Sequence, residues 1–517
     1  MPIRMTGLVS NLDTDSIVKE LMSAQSQKKV KIQNKITKSE WAQEKWKDLN
    51  TKIYSLYTGS ISKMKLQGTY STKKVVSSNE AKATVTASPS AVNGSHQVQI
   101  NQLASAQYIT GNRITTSDEQ KIDGKTLLSD IDDSLIGENV TFSTSEVQIE
   151  LAISSETTVD DFLDAAKEAG ITASFDSAQQ RFFLSSSTSG VANAFSITTT
   201  LDQTVTVGEN KLSGLGLSEI VATIDENEEN VTYTLADTSV SIKEASNSQI
   251  IYNGALITSS TNEIEINGLT IKVYAQTTLG ETITLSVSQD NQAVYDSIKQ
   301  FVTEYNEVLK EMNKLYNADS SRGYDPLTSE QKEAMTEDEI EKWENKIKDS
   351  LLRRDNTLSD LISTMKNTIM TSVEYNGTSY ALSTFGICTG DYTEKGILHI
   401  DGDKDDSTSS DKKDKLMKAL QEDPEAVMTT LSTLFSNLYT GLTDKMKATS
   451  LSSALTFYND KEMKNVLKEY KSDLSEMEDR LDILENRYYD QFTAMETALS
   501  KVNATTNSLA SLMGTGN

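Results

Sequence analysis

The hydrophobic pattern changes its period twice along the chain. From Asp13 to about Leu66 it is helical: Trp46, Leu49, Ile53 and Leu56 step by three, four and three, and Ile32 and Ala42 extend the stripe backward. Leu8, Leu12, Ile17, Val18 and Leu21 form a second apolar group at the start. No proline interrupts the stretch, and Asp13 or Asp15 supplies an N-cap whose charge suits the positive end of the helix dipole.

From about Ser71 to Gln289 the period falls to two. Lys82–Ala87 and Gln97–Asn101 alternate as half-buried strands do, and similar runs follow at 147–153, 181–184, 231–235, 263–266, 269–274 and 282–287. Glycine turns punctuate the region at Asn93-Gly94, Asp123-Gly124, Asn253-Gly254 and Asn267-Gly268. The last separates two strand-like runs by two residues and predicts a hairpin. One short helix, Val159 to Ala169, ends at Gly170.

Helical spacing returns at Ala293. Val294, Ile298, Phe301, Val302, Tyr305 and Leu309 share one face. Thr328-x-x-Gln331 and Thr336-x-x-Glu339 carry the capping-box pattern, and Asp423-Pro424 reads as an N-cap followed by proline in the first turn. Gly386 to Ile400 reads as a short β excursion, and Asp401 to Lys415 as a solvated charged loop.

The tail is the most regular segment. Met463, Leu467, Tyr470, Leu474, Met477, Leu481, Leu484, Tyr488, Gln491, Met495, Ala498, Val502, Thr505, Leu509 and Leu512 alternate by four and three. As one helix they extend about 75 Å at 1.5 Å per residue. A strict seven-residue repeat predicts left-handed packing against a partner helix, and the N-terminal helix is the intramolecular candidate. The seam weakens at Gln491, Ala498 and Thr505, so its distal half suits packing against a partner better than a self-sufficient dimer.

The expected fold is therefore multi-domain α+β. Both termini meet as an α-helical coiled-coil stem beside a mixed helical/β domain, and β-rich middle domains project from it. The expected divisions are 1–70, an N-terminal helical leg; 71–110, the first part of a stem-proximal α/β domain; 111–290, β-rich head domains; 291–455, the largely helical remainder of the stem-proximal domain; and 456–517, a C-terminal leg helix. Trp41, Trp46 and Tyr488-Tyr489 are large groups that two helices alone would not cover, and they are expected to meet another subunit.

Composition narrows the function. With 517 residues at roughly 150 per domain, three or four domains are expected. Lysine and arginine number 49 against 75 acidic residues, a net charge of −26, which excludes general affinity for nucleic acid or anionic membranes. No apolar run approaches the ~18 residues of a membrane span. Met1–Leu21 has no apolar signal core, so an extracellular role would require a route that does not read one.

Catalytic chemistry is not visible. His96 and His399 are isolated in sequence, and Cys388 sits in apolar Phe385-Gly386-Ile387-Cys388, so no metal or nucleophilic constellation is expected. Asp401-Gly402-Asp403 begins like a calcium loop, but Asp406 and Lys412 occupy the positions that need Gly and Glu. Gly214-Leu215-Gly216 lacks the rest of a dinucleotide fingerprint. The chain is expected to have no cofactor and no enzyme activity.

A series of motifs then resembles the flagellar filament cap family (hook-associated protein 2, FliD). Gly7-Leu8-Val9-Ser10-Asn11-Leu12-Asp13-Thr14-Asp15 is similar to that family's N-terminal signature, with Asn11 where glycine is usual. Leu103-Ala104-Ser105-Ala106-Gln107 resembles the end of its first block, and Thr158 to Leu184 its hook-type insertion. Phe301-Val302-Thr303-Glu304-Tyr305-Asn306, Leu352-Arg353-Arg354-Asp355-Asn356, Phe385-Gly386-Ile387 and Glu422-Asp423-Pro424-Glu425 follow in family order.

The resemblance implies an extracellular protein at the flagellum tip, exported by the flagellar type III route. It implies a ring-like homo-oligomer that guides flagellin folding and insertion. Flagellin, the hook-associated junction proteins and the export apparatus are the implied partners, and a dedicated export chaperone stays open. Contact with filament or neighbouring subunits is expected from the leg residues Leu8, Leu12, Ile17, Leu21, Trp46, Leu49, Ile53 and Leu56. On the tail it is expected from Met463, Leu467, Tyr470, Leu474, Met477, Leu481, Leu484, Tyr488, Met495, Val502, Leu509 and Leu512. Two alternatives stand beside it: a tip adhesin for mucin or glycans, and another axial component such as a hook–filament junction protein.

Overall fold

The structure, a computed structural model, describes residues 12–116, 120–200 and 210–514. The chain opens with α1, Thr14–Leu56. Asp13 is its N-cap, accepting from the Ser16 amide at 3.0 Å and the Ser16 hydroxyl at 2.6 Å, and these bonds hold its carboxyl below the usual range. At Tyr57–Ile61 the helix widens into a π-turn around Gly59 before a last α-turn at Ser62–Met64.

Ser71–Asp290 is one compact unit with two cores. It begins with β1 (Lys73–Ser77), β2 (Ala83–Ala87) and β3 (Gly94–Gln102). An insertion follows, made of β4 (Tyr108–Thr110), β5 (Asn139–Ser143), β6 (Gln148–Ala152), α2 (Val159–Glu168), β7 (Ile171–Asp176), β8 (Arg181–Ser186), β9 (Ser196–Thr200), β10 (Ile220–Ile224), β11 (Val231–Leu235) and β12 (Ser241–Lys243). The chain then completes the first fold with β13 (Ser248–Tyr252), β14 (Ala255–Ser259), β15 (Glu263–Ile266), β16 (Leu269–Val273) and β17 (Ile283–Gln289).

The outer strands make a sandwich. A five-stranded antiparallel sheet ordered β1-β17-β3-β13-β14 packs on a three-stranded sheet ordered β15-β16-β2. Val98, Ile100, Ile250, Leu285 and Ile271 fill the space between. Two hairpins close with Asn-Gly pairs in the left-handed region: Asn253 at φ 49° with Gly254 at 88°, and Asn267 at 51° with Gly268 at 76°. These are the angles a two-residue turn needs to follow strand twist. At Gly268 a Cβ would also meet the Ser88 hydroxyl at 2.6 Å.

The insertion builds the second core from sheets ordered β11-β10-β9-β5-β6 and β12-β4-β8-β7, with α2. Phe162 of α2 meets Phe142 and Phe182 at 5.0 and 5.2 Å between ring centroids. Thr158 and Asp161 form a reciprocal capping box at its start, and Gly170, at φ 86°, follows its end.

The residues before Ser71 and after Asp290 form the other unit. It holds α3 (Asn291–Tyr316), α4 (Glu337–Lys348), α5 (Asn356–Ile369), the hairpins β18–β19 (Val373–Tyr375, Thr378–Tyr380) and β20–β21 (Ile387–Thr389, Leu398–Ile400), α6 (Lys415–Glu422), α7 (Pro424–Lys445) and α8 (Asp460–Met513). Both expected capping boxes form, and Asp423 caps α7 with Pro424 in its first turn. The expected face of α3 is buried throughout against α5 and α7.

Three expectations change here. Residues 71–110 do not join 291–455 in one domain; they fold within Ser71–Asp290, where β3 lies between β17 and β13 in one sheet. The segment 1–70 is not a separable leg. Trp46, Leu49, Ile53, Leu56, Ile61 and Met64 lie inside the core of this unit, and Trp46 stacks on Tyr458 at 5.5 Å. Asp401–Lys415 is solvated only in part: Lys404, Asp405 and 411–413 are exposed, but Asp401 and Ser409 are 3% and 0% exposed. Asp401 pairs with Lys412 and Lys415 at 3.1 and 3.2 Å, and Lys299 of α3 pairs with Asp403 and Asp405 at 2.5 Å each. The two buried carboxylates of this loop, Asp401 and Asp403, are thus each matched by a cation, which offsets the cost of burying them.

His399 anchors the same loop. Its Nε2 lies 2.6 Å from Glu394 and its Nδ1 2.5 Å from Asp406. Burial favours the neutral ring, but the two carboxylates outweigh it and raise the imidazole above its ordinary 6.5. Because the folded value exceeds the unfolded one, this contribution is complete below pH 6.5 and is lost as pH rises through the raised folded value. Melting temperature should therefore fall on passing from pH 6 to pH 9, and His399→Gln should flatten that dependence while costing roughly 2 kcal/mol at the acidic end. Ile53→Ala, a core truncation, should cost about 2–5 kcal/mol in the unit holding α1 and leave the transition of Ser71–Asp290 unchanged by calorimetry.

Candidate assembly site on the terminal helices

Above the core, α1 and α8 run side by side and antiparallel. Asn50 accepts from the Phe457 amide near the base, then Glu40 pairs with Lys471 and Lys29 with Glu478, each at 2.9 Å, as the helices rise. The order follows from charge blocks. Lys28, Lys29, Lys31, Lys35 and Lys38 on α1 lie along Asp473, Glu476, Glu478, Asp479, Asp482 and Glu485 on α8, and Lys35 also sits 5.3 Å over the Tyr470 ring. The individual pairs are about half exposed, so each adds only ~0.2–1 kcal/mol, and their sum sets register more than strength.

The base of α8 is fixed more firmly. Burial opposes ionisation of Asp460, but the Ser453 amide at 2.6 Å, its hydroxyl at 2.9 Å and Lys464 at 3.1 Å hold its carboxyl below the usual range. Trp41 on α1 is braced by Lys348 of α4, 4.7 Å over its ring, and Lys38 pairs with Asp325 at 2.7 Å. Met463 packs partly buried against the core.

The expected contact residues divide into three groups. Trp46, Leu49, Ile53 and Leu56 serve the interior; their spacing reported burial in this chain's own core, and they present no surface to another subunit. Ile17 on α1 and Leu467, Tyr470, Leu474, Met477, Leu481, Leu484, Tyr488 and Met495 on α8 are half-buried. Leu12 and Leu21 are exposed, as are Val502 and Leu509 at 59% and 58%. Leu8 and the side chain of Leu512 lie outside the described residues.

Within the expected apolar group at the start of α1, Val18 turns inward at 1% exposed, whereas Leu21 is 41% exposed. On α8 the expected seam residue Gln491 is exposed and Phe492 turns inward instead. A straight α-helix drifts ~20° per heptad against a strict repeat. Four heptads separate Met463 from Gln491, so the inward position moves on by nearly the 100° of one residue. The half-buried neighbours Leu484-Glu485 and Tyr488-Tyr489 mark the crossing. Phe492 was findable from the sequence by carrying that drift along the helix.

Lys501 to Ser511 is exposed at every position, with Leu499 at 36%. This length of α8 shows an apolar stripe without a covering helix among the described residues. Nothing in the arrangement suggests bond chemistry: among the described residues no cluster of His, Cys, Asp and Glu could hold a metal ion, and no helix is long and apolar enough to cross a membrane.

The family described as Flagellar hook-associated protein 2 C-terminus matches residues 245–504, and the corresponding N-terminus family matches residues 10–107. The flagellar hook-associated protein 2 of Halalkalibacterium halodurans is 26% identical over 97% of this chain and 98% of its own length. That of Thermotoga maritima is 26% identical over 81% of each. The crystal structure of the D1-D2-D3 domains of the flagellar cap protein FliD from Escherichia coli has a TM-score of 0.51 at 20% identity, covering 79% of this chain and 97% of that one, a likeness of fold. These relatives carry the name of the hook-associated protein, and the adhesin alternative is not favoured.

The one-residue shift of the seam has a direct test. Phe492→Asp should loosen the upper pair and speed tryptic cleavage after Arg487 several-fold, while Gln491→Asp, with the same helix propensity, should leave the rate unchanged.

Proposed function

This chain belongs to the flagellar hook-associated protein 2 family, and we propose that it caps the growing end of the bacterial flagellar filament, where its paired terminal helices make and release contacts with filament subunits. The role is structural. The chain works at the flagellum tip, associates with copies of itself and meets flagellin as it assembles.

The observation that carries the reading is the fall in burial toward the end of α8, whereas on α1 Val18 stays buried far from the core. At the base Leu49 and Ile53 are 1% and 0% exposed; midway the seam is half-buried; beyond Leu499 the apolar residues face water. Covering Leu499, Val502 and Leu509 would supply on the order of 3 kcal/mol, at ~1.5–3 kcal/mol for a wholly exposed side chain of this size. That is enough to favour a partner helix and little enough to release it. A leg held rigidly at one end and weakly at the other can exchange neighbours while its base keeps position.

Export through the flagellar type III route belongs to the same proposal, as do contacts with the junction proteins and the export apparatus. A long, half-paired helix is suited to passing through a narrow conduit, since separating it from α1 exposes no sealed core. The legs as contact elements are tested by Leu467→Glu combined with Leu474→Glu. Both positions are half-buried in the seam and outside the core, so both compact units should keep their melting transitions. Filament growth in a strain carrying the double substitution should be abolished, with flagellin secreted unpolymerised. Filaments of ordinary length would contradict the role given to the legs.

A further inference from the structure

The larger sheet of the sandwich in Ser71–Asp290 has an open edge at β14. β14 ends the five-stranded sheet, and among the described residues no strand pairs with its outer side. Its register with β13 places Ala255, Ile257 and Ser259 opposite Tyr252, Ile250 and Ser248. The alternation from the closing Tyr252–Ala255 pair turns the amides and carbonyls of Leu256 and Thr258 outward. Natural edges are blunted by lysine, proline, a bulge or an inward charge. Ala255-Leu256-Ile257-Thr258-Ser259 carries none of these residues, and Leu256 is 60% exposed.

The adjoining face is equally unusual for this chain. Counted by alternation, the outward positions of the sheet are Ser, Thr, Gln and aliphatic residues. Ser95, Gln97 and Gln99 of β3 lead across Ile251 of β13 to Leu256, and Lys74 on the far edge strand is their one charge. In a protein with a net charge of −26, a five-stranded sheet face with no acidic residue stands apart. A second copy brings the same −26, and two copies repel wherever acidic surfaces meet. An uncharged face beside an open strand is where that repulsion is least, and charge depletion marks the centres of protein interfaces.

We infer that the β14 edge and the uncharged sheet face beside it form a surface on which a second copy of this chain docks. This rests on the reading that the protein self-associates, and it names the surface. Five strands at ~4.8 Å spacing and about five residues at ~3.3 Å give roughly 350–400 Å² per copy, half of a standard contact. Each pairwise contact is therefore weak, backbone bonds along Leu256 and Thr258 supply its direction, and closure of a ring makes the assembly persist.

Sedimentation of the full chain tests this, comparing wild type with Leu256→Lys/Thr258→Lys and, separately, with Gln97→Lys at the middle of the face. All three side chains are exposed, and unchanged melting transitions report that folding is intact. Self-association should weaken roughly tenfold or more in both variants. Variants that assemble as wild type does would overturn the surface and leave the cap reading standing. A wild-type chain that never self-associates would overturn both. Variants with normal self-association but lost flagellin binding would assign the edge to flagellin and overturn the proposal.

Discussion

The structure depends on α1 belonging to two environments at once. Its last turns, with Trp46, Leu49, Ile53 and Leu56, are interior residues of a helical core, and its first eight or so turns are one side of an open pair with α8. A helix is stiff over this length, so fixing one end positions the other without further contacts. Truncating the buried end would therefore disturb the far contacts through loss of the anchor, even though no residue of the pair had changed.

Electrostatics and apolar packing divide the labour along that pair. The seam is too shallow to specify alignment by burial alone, since half-buried residues lose little when shifted by one turn. Two ion pairs of opposite polarity, Lys29 with Glu478 and Glu40 with Lys471, join the helices in the observed antiparallel register. Near the core the reverse holds. Asp401, Asp403 and His399 are buried while their partners Lys412 and Lys415 stay half-exposed, and there charge pairing holds the loop because a buried carboxylate needs a cation.

Much of this was legible in the sequence because it is local. Caps at Asp13, Thr328, Thr336 and Asp423, the Gly170 stop and the Asn267-Gly268 hairpin each need only a few neighbouring residues, and each forms. β9 was hidden because its run Ser-Ile-Thr-Thr-Thr holds a single apolar residue, Ile197, and shows no alternation, although Thr198 is buried. The paired ions of Asp401–Lys415 were hidden because Lys299 comes from a distant helix. At the candidate site, the heptads revealed the partnership of α8, but a spacing pattern reports burial without saying whose surface does the burying. That is why Trp46 and Ile53 read as contact residues and proved to be core.

Hydrogen exchange along α8 in the isolated, monomeric chain measures the gradient on which the leg mechanism stands. Protection should be strong near Met463, decline through Leu481 and be nearly absent from Leu499 to Leu509, then rise in that last stretch when filament ends are added. Uniform protection through Leu509 in the isolated chain, unchanged by filaments, would mean that the helix is already satisfied and has nothing to exchange.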